Sequence, residues 1–520
     1  MIAYNKFMQQ IVDNRDGKVP TIDTVASEPR TSAGLPWYLF MAGLGMVVAV
    51  AISPLHQGIT GDALWHIADG RWILHHHRLP RVNPFGWSTG KTPWINIEWG
   101  WDVATALLIG TLGKTGLMVW LGLTMAAIVW AQRKRWNTLG ITTAGQGDWI
   151  ALTILGVSAF WAWRPQLVSY AMVPVWLLTV ESAESNIRRL WMLVPELLIW
   201  ETFHGGYLLG LITFGLWLAN RAWPGAKSMT RRDWIHVAGV AAALGLALGA
   251  TPWGWGGVVH AIWEAHNPVI AASIVEWQSP SFHQLWWIGA LGLPTVAVAV
   301  RTWIYPDTKK RISRFHWITW AAMLASTLLA LRNYPFFVEQ TAVVGAGIGL
   351  WNPQKNIKMP GWLAALLLIA FGAAASPFVR PWLTVNTGVP TAVVAQLKAH
   401  PGRIVNGYRI GDGLVYDGIP DSLDGRTDLF IEAHNWFQTS VNAEHGMDSW
   451  PKLRRWLDKE HVTYVLWSTS DVGTQEMLGR RGVRVLYHSR KVILLAVRPV
   501  PRQHTLIPCY DCVLDANVPH

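Results

Sequence analysis

The chain has 520 residues, of which 51% are hydrophobic and only 14% charged, with 35 Trp and a formal net charge of +11. A water-soluble protein of this size carries about a quarter charged residues, so the composition speaks against an ordinary soluble globule. It points instead to a polytopic α-helical membrane protein with Trp at the headgroup level. The basic residues fall in short clusters between apolar runs, as in cytoplasmic loops, which argues against a nucleic-acid partner.

Residues 1–33 are polar and lack the apolar core of a signal peptide. A cytoplasmic N-terminal segment followed by an uncleaved anchor is expected. Apolar segments then run at 37–55, 101–113, 115–131, 150–163, 166–181, 190–203, 204–220, 234–251, 284–301, 316–331, 335–350 and 361–378. The basic clusters are Arg133-Lys134-Arg135, Arg188-Arg189, Arg221 with Lys227, Arg231 and Arg232, Lys309-Lys310-Arg311 with Arg314, and Lys355 with Lys358. Placing all of them in the cytoplasm predicts about eleven crossings and an external C-terminus, provided 101–113 is a short re-entrant or interfacial helix. The expected organisation is therefore a transmembrane domain over 34–380 with an external loop at 56–100, then an external domain over 381–500 and a flexible tail over 501–520.

This topology collects the unusual polar residues on one face, as a site at the outer membrane surface would. In GDALWHIADG (61–70), Asp62, His66 and Asp69 share one face of a helix. With Trp65 and Trp72 on an adjoining stripe, the stretch reads as an amphipathic helix lying on the membrane. Asp62 can be a general base for an incoming hydroxyl, a metal ligand, or a helix cap. His75-His76-His77 cannot present three ligands to one ion, because consecutive helical residues do not face one another. PWINIEWGW places Glu98 among Trp94 and Trp99, which suits either sugar stacking or membrane anchoring. Arg164 in WRPQ and Arg332 in LRNYP suit bidentate phosphate binding or snorkelling. His204 stands at a tight turn before two glycines, and Glu276 beside Trp277 lies in a segment, 252–283, that contains no Lys or Arg.

From about residue 383 the apolar runs shorten to strand length at 403–408, 462–468, 483–489 and 492–497, with helical patterns at 390–399, 449–460 and 472–480. A small α/β domain is expected. Asp424 and Arg426 can pair across a tight turn, or Arg426 can contact an acceptor or the membrane domain. Cys509 and Cys512 supply at most two ligands, short of the four of a structural zinc site.

The ordered motifs of 61–99, then RPQ, HGG, NP with EW and SP, RN with P, and DGR with D resemble the GT-C superfamily of bacterial lipid-linked glycosyltransferases. The resemblance implies an enzyme of the inner membrane, multi-pass, with its C-terminal domain extracytoplasmic. Its partners would be a polyprenyl-phosphate-linked sugar, a glycan, lipid or protein acceptor, and membrane lipid. Asp62 occupies the position of the catalytic base, with His66 and Glu98 beside it. Arg164, His204 and Arg332 are the candidates for the donor phosphate, and Trp65, Trp94, Glu276 and Trp277 for sugar or acceptor contact. The adjacent acidic pair of many such loops is missing, so no metal cofactor is expected. A transporter of lipid or polysaccharide is the competing class, disfavoured by the scarcity of charge in mid-span and the lack of a clear repeat. A non-catalytic assembly protein is the other.

Overall fold

The computed structural model describes residues 37–52, 57–223, 229–351 and 380–499. The N-terminal segment 1–33, the last expected span at 361–378, Lys227, Lys355, Lys358, and the tail with Cys509 and Cys512 lie outside them. A body of packed helices runs from Trp37 to Gly347, and a smaller α/β unit follows.

The expectation of about eleven crossings is overturned. Among the described residues, two helical stretches are long and apolar enough to cross a membrane, Trp99–Thr138 and Leu285–Ile304. The reason is length and composition. The other long helices, from Thr143–Ser158 to Tyr334–Gly347, have 11 to 18 residues. At about 1.5 Å per residue most fall well short of a hydrocarbon core about 30 Å thick. The first stretch folds back on itself at Gly113–Thr115, where the sequence reading separates 101–113 from 115–131. Trp101 stacks on Trp120 with ring centroids 4.9 Å apart, and Trp120 Nε1 donates to Thr105 Oγ1 at 3.0 Å. The segment 101–113 is thus one arm of a helical hairpin. Several outward helix faces are strongly apolar: Leu285, Trp303, Leu246 and Leu329 are 81%, 80%, 78% and 75% exposed.

Two further expectations are corrected. Tryptophan is not confined to a headgroup belt: Trp101, Trp136, Trp161, Trp176, Trp200 and Trp217 are among the largest fully buried side chains of the helical body. They fill the gaps that short helices crossing at varied angles leave, a use that suits a large ring with one polar handle. Arg135, read as part of a cytoplasmic cluster, is also fully buried. Its guanidinium forks onto Glu181, with Nε to Oε2 at 2.9 Å and Nη2 to Oε1 at 2.7 Å, and also donates to Gln132 and Gln340.

The helix Asp62–His76 does not lie on an open membrane surface. Eight of its residues, including Trp65, His66 and Asp69, are buried. It is packed between the helix Trp99–Leu112 and the helix Tyr408–Tyr416 of the α/β unit. Gly70 makes the first contact possible, since a Cβ there would collide with the Asp102 carbonyl. His77 ends the helix in a left-handed conformation at φ 54°, and His75, His76 and His77 are exposed.

In the α/β unit, the strands β1 (Ile404–Asn406), β2 (Tyr464–Ser468), β3 (Arg484–His488) and β4 (Val492–Ala496) form one sheet in the order β1-β2-β4-β3. β1 pairs parallel with β2, and the other two pairings are antiparallel. One face carries Ile404, Tyr464, Leu466 and Leu494 in one core, and the other carries Val405, Val465, Trp467 and Leu495 in a second. The strands β2 and β4 are therefore buried on both sides, which explains why they read as continuous apolar runs, whereas the edge strand β3 is largely exposed. The segment 57–98 fastens this unit to the helical body. Ile59 N–H donates to Thr384 O at 2.9 Å, Trp87 Nε1 to Ile404 O at 3.0 Å, and Ser88 Oγ to Ser422 O at 2.6 Å.

Replacing Glu181 with Gln leaves the Arg135 guanidinium buried without its counter-charge. Breaking such a pair costs about 3–5 kcal/mol, so Glu181→Gln is expected to unfold well below the wild type in a thermal melt in lipid. The double change to Arg135→Met with Glu181→Leu should recover much of the loss. Equal melting of wild type and Glu181→Gln would show that the pair contributes little.

Candidate active site

One cavity of about 730 Å³ lies between the helical body and the α/β unit. Asp62, Trp65, His66, Trp94, Glu98, Arg164, Glu276, Trp277 and Arg332 all line it, although they come from five separate stretches of chain. His204 does not. It stands behind Arg332, with its Nε2 3.1 Å from Arg332 Nη2 and its Nδ1 2.6 Å from Ser169 Oγ. His204 thus positions a guanidinium rather than facing the cavity.

Gly61 has φ 55° and turns the chain into the helix, so that Asp62 is its first residue. A carboxylate there is favoured by the helix dipole. Arg164 bridges two acids: its Nε lies 3.2 Å from Asp62 Oδ2, and its Nη1 donates to Glu276 Oε1. Arg332 lies over the Trp277 ring, 4.3 Å from its centroid. The arginines that sequence separates by more than 160 residues therefore converge on one end of the cavity.

Behind Asp62 runs a buried polar chain. His66 Nδ1 is 2.5 Å from Asp102 Oδ1, and Asn96 donates from Nδ2 to both Asp102 Oδ2 at 2.7 Å and Asp69 Oδ2 at 2.8 Å. Burial pushes His66 down to about 3, so its imidazole is neutral at physiological pH. Burial, with the neighbouring Asp102, holds Asp69 well above the usual carboxylate range. Asp69 accepts from Asn96 and is not among the residues that line the cavity. Glu98 sits at the cavity floor, 3.8 Å from both His66 Nε2 and His204 Nε2. Burial and the charges of Glu264 and Asp102 raise it well above the usual range.

The tryptophan faces are largely taken. Trp65 stacks on His66 at 3.7 Å, and the Arg426 guanidinium lies 4.7 Å from the Trp94 centroid. Trp65 and Trp94 thus build the wall, and stacking on a sugar would have to use what their neighbours leave uncovered.

The sequence reading missed the half of the cavity that comes from the α/β unit: Tyr408, Arg409, Asp412, Gly425 and Asp428. It also missed His260 and Glu264, which the Lys- and Arg-free segment could have flagged, and Asp102, the single charge in an apolar run. Nothing local marked Ser169. Arg426 pairs with Asp424 and also reaches across to the helical body, where its Nη1 donates to Asn83 Oδ1 at 3.0 Å. Among the described residues, no group of three or more His, Cys, Asp or Glu is arranged to hold a metal ion.

No family model matches the chain, and no curated protein matches it significantly. The chemistry of the cavity must carry the functional reading.

His260 ties the two halves together, with Nε2 3.1 Å from Asp428 Oδ2. Burial lowers its pKa, but the hydrogen bond and charge of Asp428 outweigh that and raise it above 6.5 overall. Its stabilising contribution is therefore complete below about pH 6.5 and is lost as pH rises through the raised value. Amide exchange in the helix Thr427–Glu432 is expected to accelerate between pH 6 and pH 9, beyond the intrinsic rate, and Asp428→Asn should flatten that dependence. A wild-type profile that follows the intrinsic rate alone would remove this role.

Proposed function

We propose that the protein is a membrane glycosyltransferase that moves a sugar from a polyprenyl-phosphate donor to an acceptor hydroxyl, with Asp62 as general base. The observation that carries this reading is the cavity itself. It joins a carboxylate at a helix start to two arginines, Arg164 and Arg332, beside a body whose outward faces are apolar. The two helices long and apolar enough to cross a membrane support a place at the bilayer. In this reading the cavity opens at the outer face of a bacterial inner membrane. The likeness of the 61–99 motifs to lipid-linked glycosyltransferases supports the chemistry.

The donor is an amphiphile whose tail stays in lipid, so its phosphate and sugar meet the protein at the headgroup plane. The acceptor O–H loses its proton to Asp62 as its oxygen bonds to the anomeric carbon. The bond from that carbon to the phosphate oxygen breaks, and polyprenyl phosphate leaves. The departing group gains negative charge, which preorganised guanidiniums stabilise without a general acid. Arg164 couples the two events, since it holds Asp62 on one side and on the other can exchange Glu276 for phosphate. His66, neutral and fixed by Asp102, supports the floor beneath Glu98.

A positioned base contributes about 10²–10⁴-fold to rate. Purified protein in lipid, given a panel of polyprenyl-phosphate sugars and crude envelope acceptor, is expected to release polyprenyl phosphate. Asp62→Asn should lose that factor in kcat while retaining the wild-type melting temperature. Equal turnover by wild type and Asp62→Asn would sink the assignment of the base.

A further inference from the structure

The two oxygens of Asp62 have different surroundings. Oδ2 faces Arg164 and the phosphate end of the cavity. Oδ1 faces the α/β unit, where Gly425 packs against it. A methyl group on Gly425 would collide with Asp62 Oδ1, and would come within 2.9 Å of Asp412 Oδ1 and 3.2 Å of Trp65 Nε1. Asp412 is 4% exposed and its Oδ1 accepts the Gly425 N–H at 2.8 Å. The Trp65 indole N–H is buried, belongs to a residue that lines the cavity, and has no hydrogen-bond partner. Buried donors without a partner are uncommon, and this one lies beside two carboxyl groups.

We propose that Asp412, the Trp65 indole N–H and Asp62 Oδ1 form an acceptor subsite for a neutral saccharide or polyol that bears two neighbouring hydroxyls. The proposal rests on the transferase reading and names its acceptor class. One hydroxyl attacks and gives its proton to Asp62. Its neighbour accepts from the Trp65 N–H and bonds to the Asp412 carboxyl. A hydroxyl is both donor and acceptor, and so satisfies both partners. An ammonium group would suit the carboxyls but leave the indole N–H unmatched. A phosphate or carboxylate would suit the N–H but be repelled by Asp62. Burial, with Asp62 and Asp424 nearby, holds Asp412 well above the usual carboxylate range, so it can also donate. The subsite meets Oδ1 of Asp62 while Arg164 meets Oδ2, so one carboxylate touches both the acceptor subsite and the arginine assigned to the donor phosphate.

Saturation-transfer NMR on the full chain in lipid nanodiscs tests this without any donor. The probes are the methyl pyranosides of mannose, galactose and glucose, each beside a deoxy analogue lacking one hydroxyl of an adjacent pair. At least one parent glycoside is expected to bind, with its deoxy analogue weakened fivefold or more. Asp412→Asn, which keeps the shape and the Gly425 contact, and Trp65→Phe should each weaken binding by a similar factor. Gly425→Ala should abolish it. Variants are compared only where the melting temperature matches the wild type, and Trp65→Phe is the mildest change. Failure of all the parent glycosides to bind the wild type, or binding unchanged in Asp412→Asn and Trp65→Phe, overturns the subsite. Because no donor is present, the subsite can stand if polyprenyl-phosphate turnover fails. Equally, turnover that depends on Asp62 can stand if the subsite fails.

Discussion

The Arg426 guanidinium is 2% exposed and is the bolt between the two halves of the molecule. It is paired with Asp424 on its own loop, donates to Asn83 of the segment 57–98, and lies against the rings of Trp94, Phe85 and Trp65. A buried charge is tolerated only where its counter-charge and hydrogen bonds are complete. These partners come from both sides of the seam, so docking adds to the bonds from Asn406 and Asp412 that hold the loop 421–428 within its own unit. That loop carries Gly425 and Asp428 into the cavity. The cavity is thus a product of docking, and a guanidinium in contact with three rings helps to hold its far wall in place.

Much of the near wall was legible in the sequence for a local reason. Asp62, Trp65 and His66 share one helix, and the 3.6-residue period fixes which of them can face together. Arg164, Glu276, Trp277 and Arg332 were legible for a different reason. A charged side chain at the end of an apolar run is expensive unless it has a partner, so such residues tend to gather. The far wall was not legible, because Tyr408, Asp412 and Asp428 look like ordinary residues of a small α/β unit. Only the register of the seam, from Ile59 to Trp87 against Thr384 to Ser422, brings them to Asp62.

The architecture was misread from the apolar runs. Hydropathy records that a segment leaves water but not how far it then travels. The break between 101–113 and 115–131 was legible, at Gly113–Thr115, but Arg135, at the end of the second arm, is buried against Glu181 rather than held in a loop. Trp abundance misled in the same way. A residue with a large apolar ring and one N–H serves equally at a headgroup plane and in a crowded core. Here the buried rings of Trp101, Trp136, Trp176 and Trp200 show the second use.

Charge balance bears on the phosphate donor proposed for so acidic a cavity. Six carboxyl groups and four guanidiniums line it, which with all groups ionised would repel an anion. Burial holds Glu98 and Asp412 well above the usual carboxylate range, and raises Glu264 to about 7. Each of these shifts lessens the negative charge that the acids set against the arginines. Arg426, already matched by Asp424 outside the lining, is not free to respond to a ligand. Arg164 and Arg332 are differently placed: each touches a neutral or shared partner, His204 in one case and two competing acids in the other. In the proposed reaction, a phosphate would draw on Arg332, and on Arg164 by displacing Glu276. In that reaction, Arg164 would thus be held by carboxylates and Arg332 by a neutral imidazole until charge develops on the leaving phosphate.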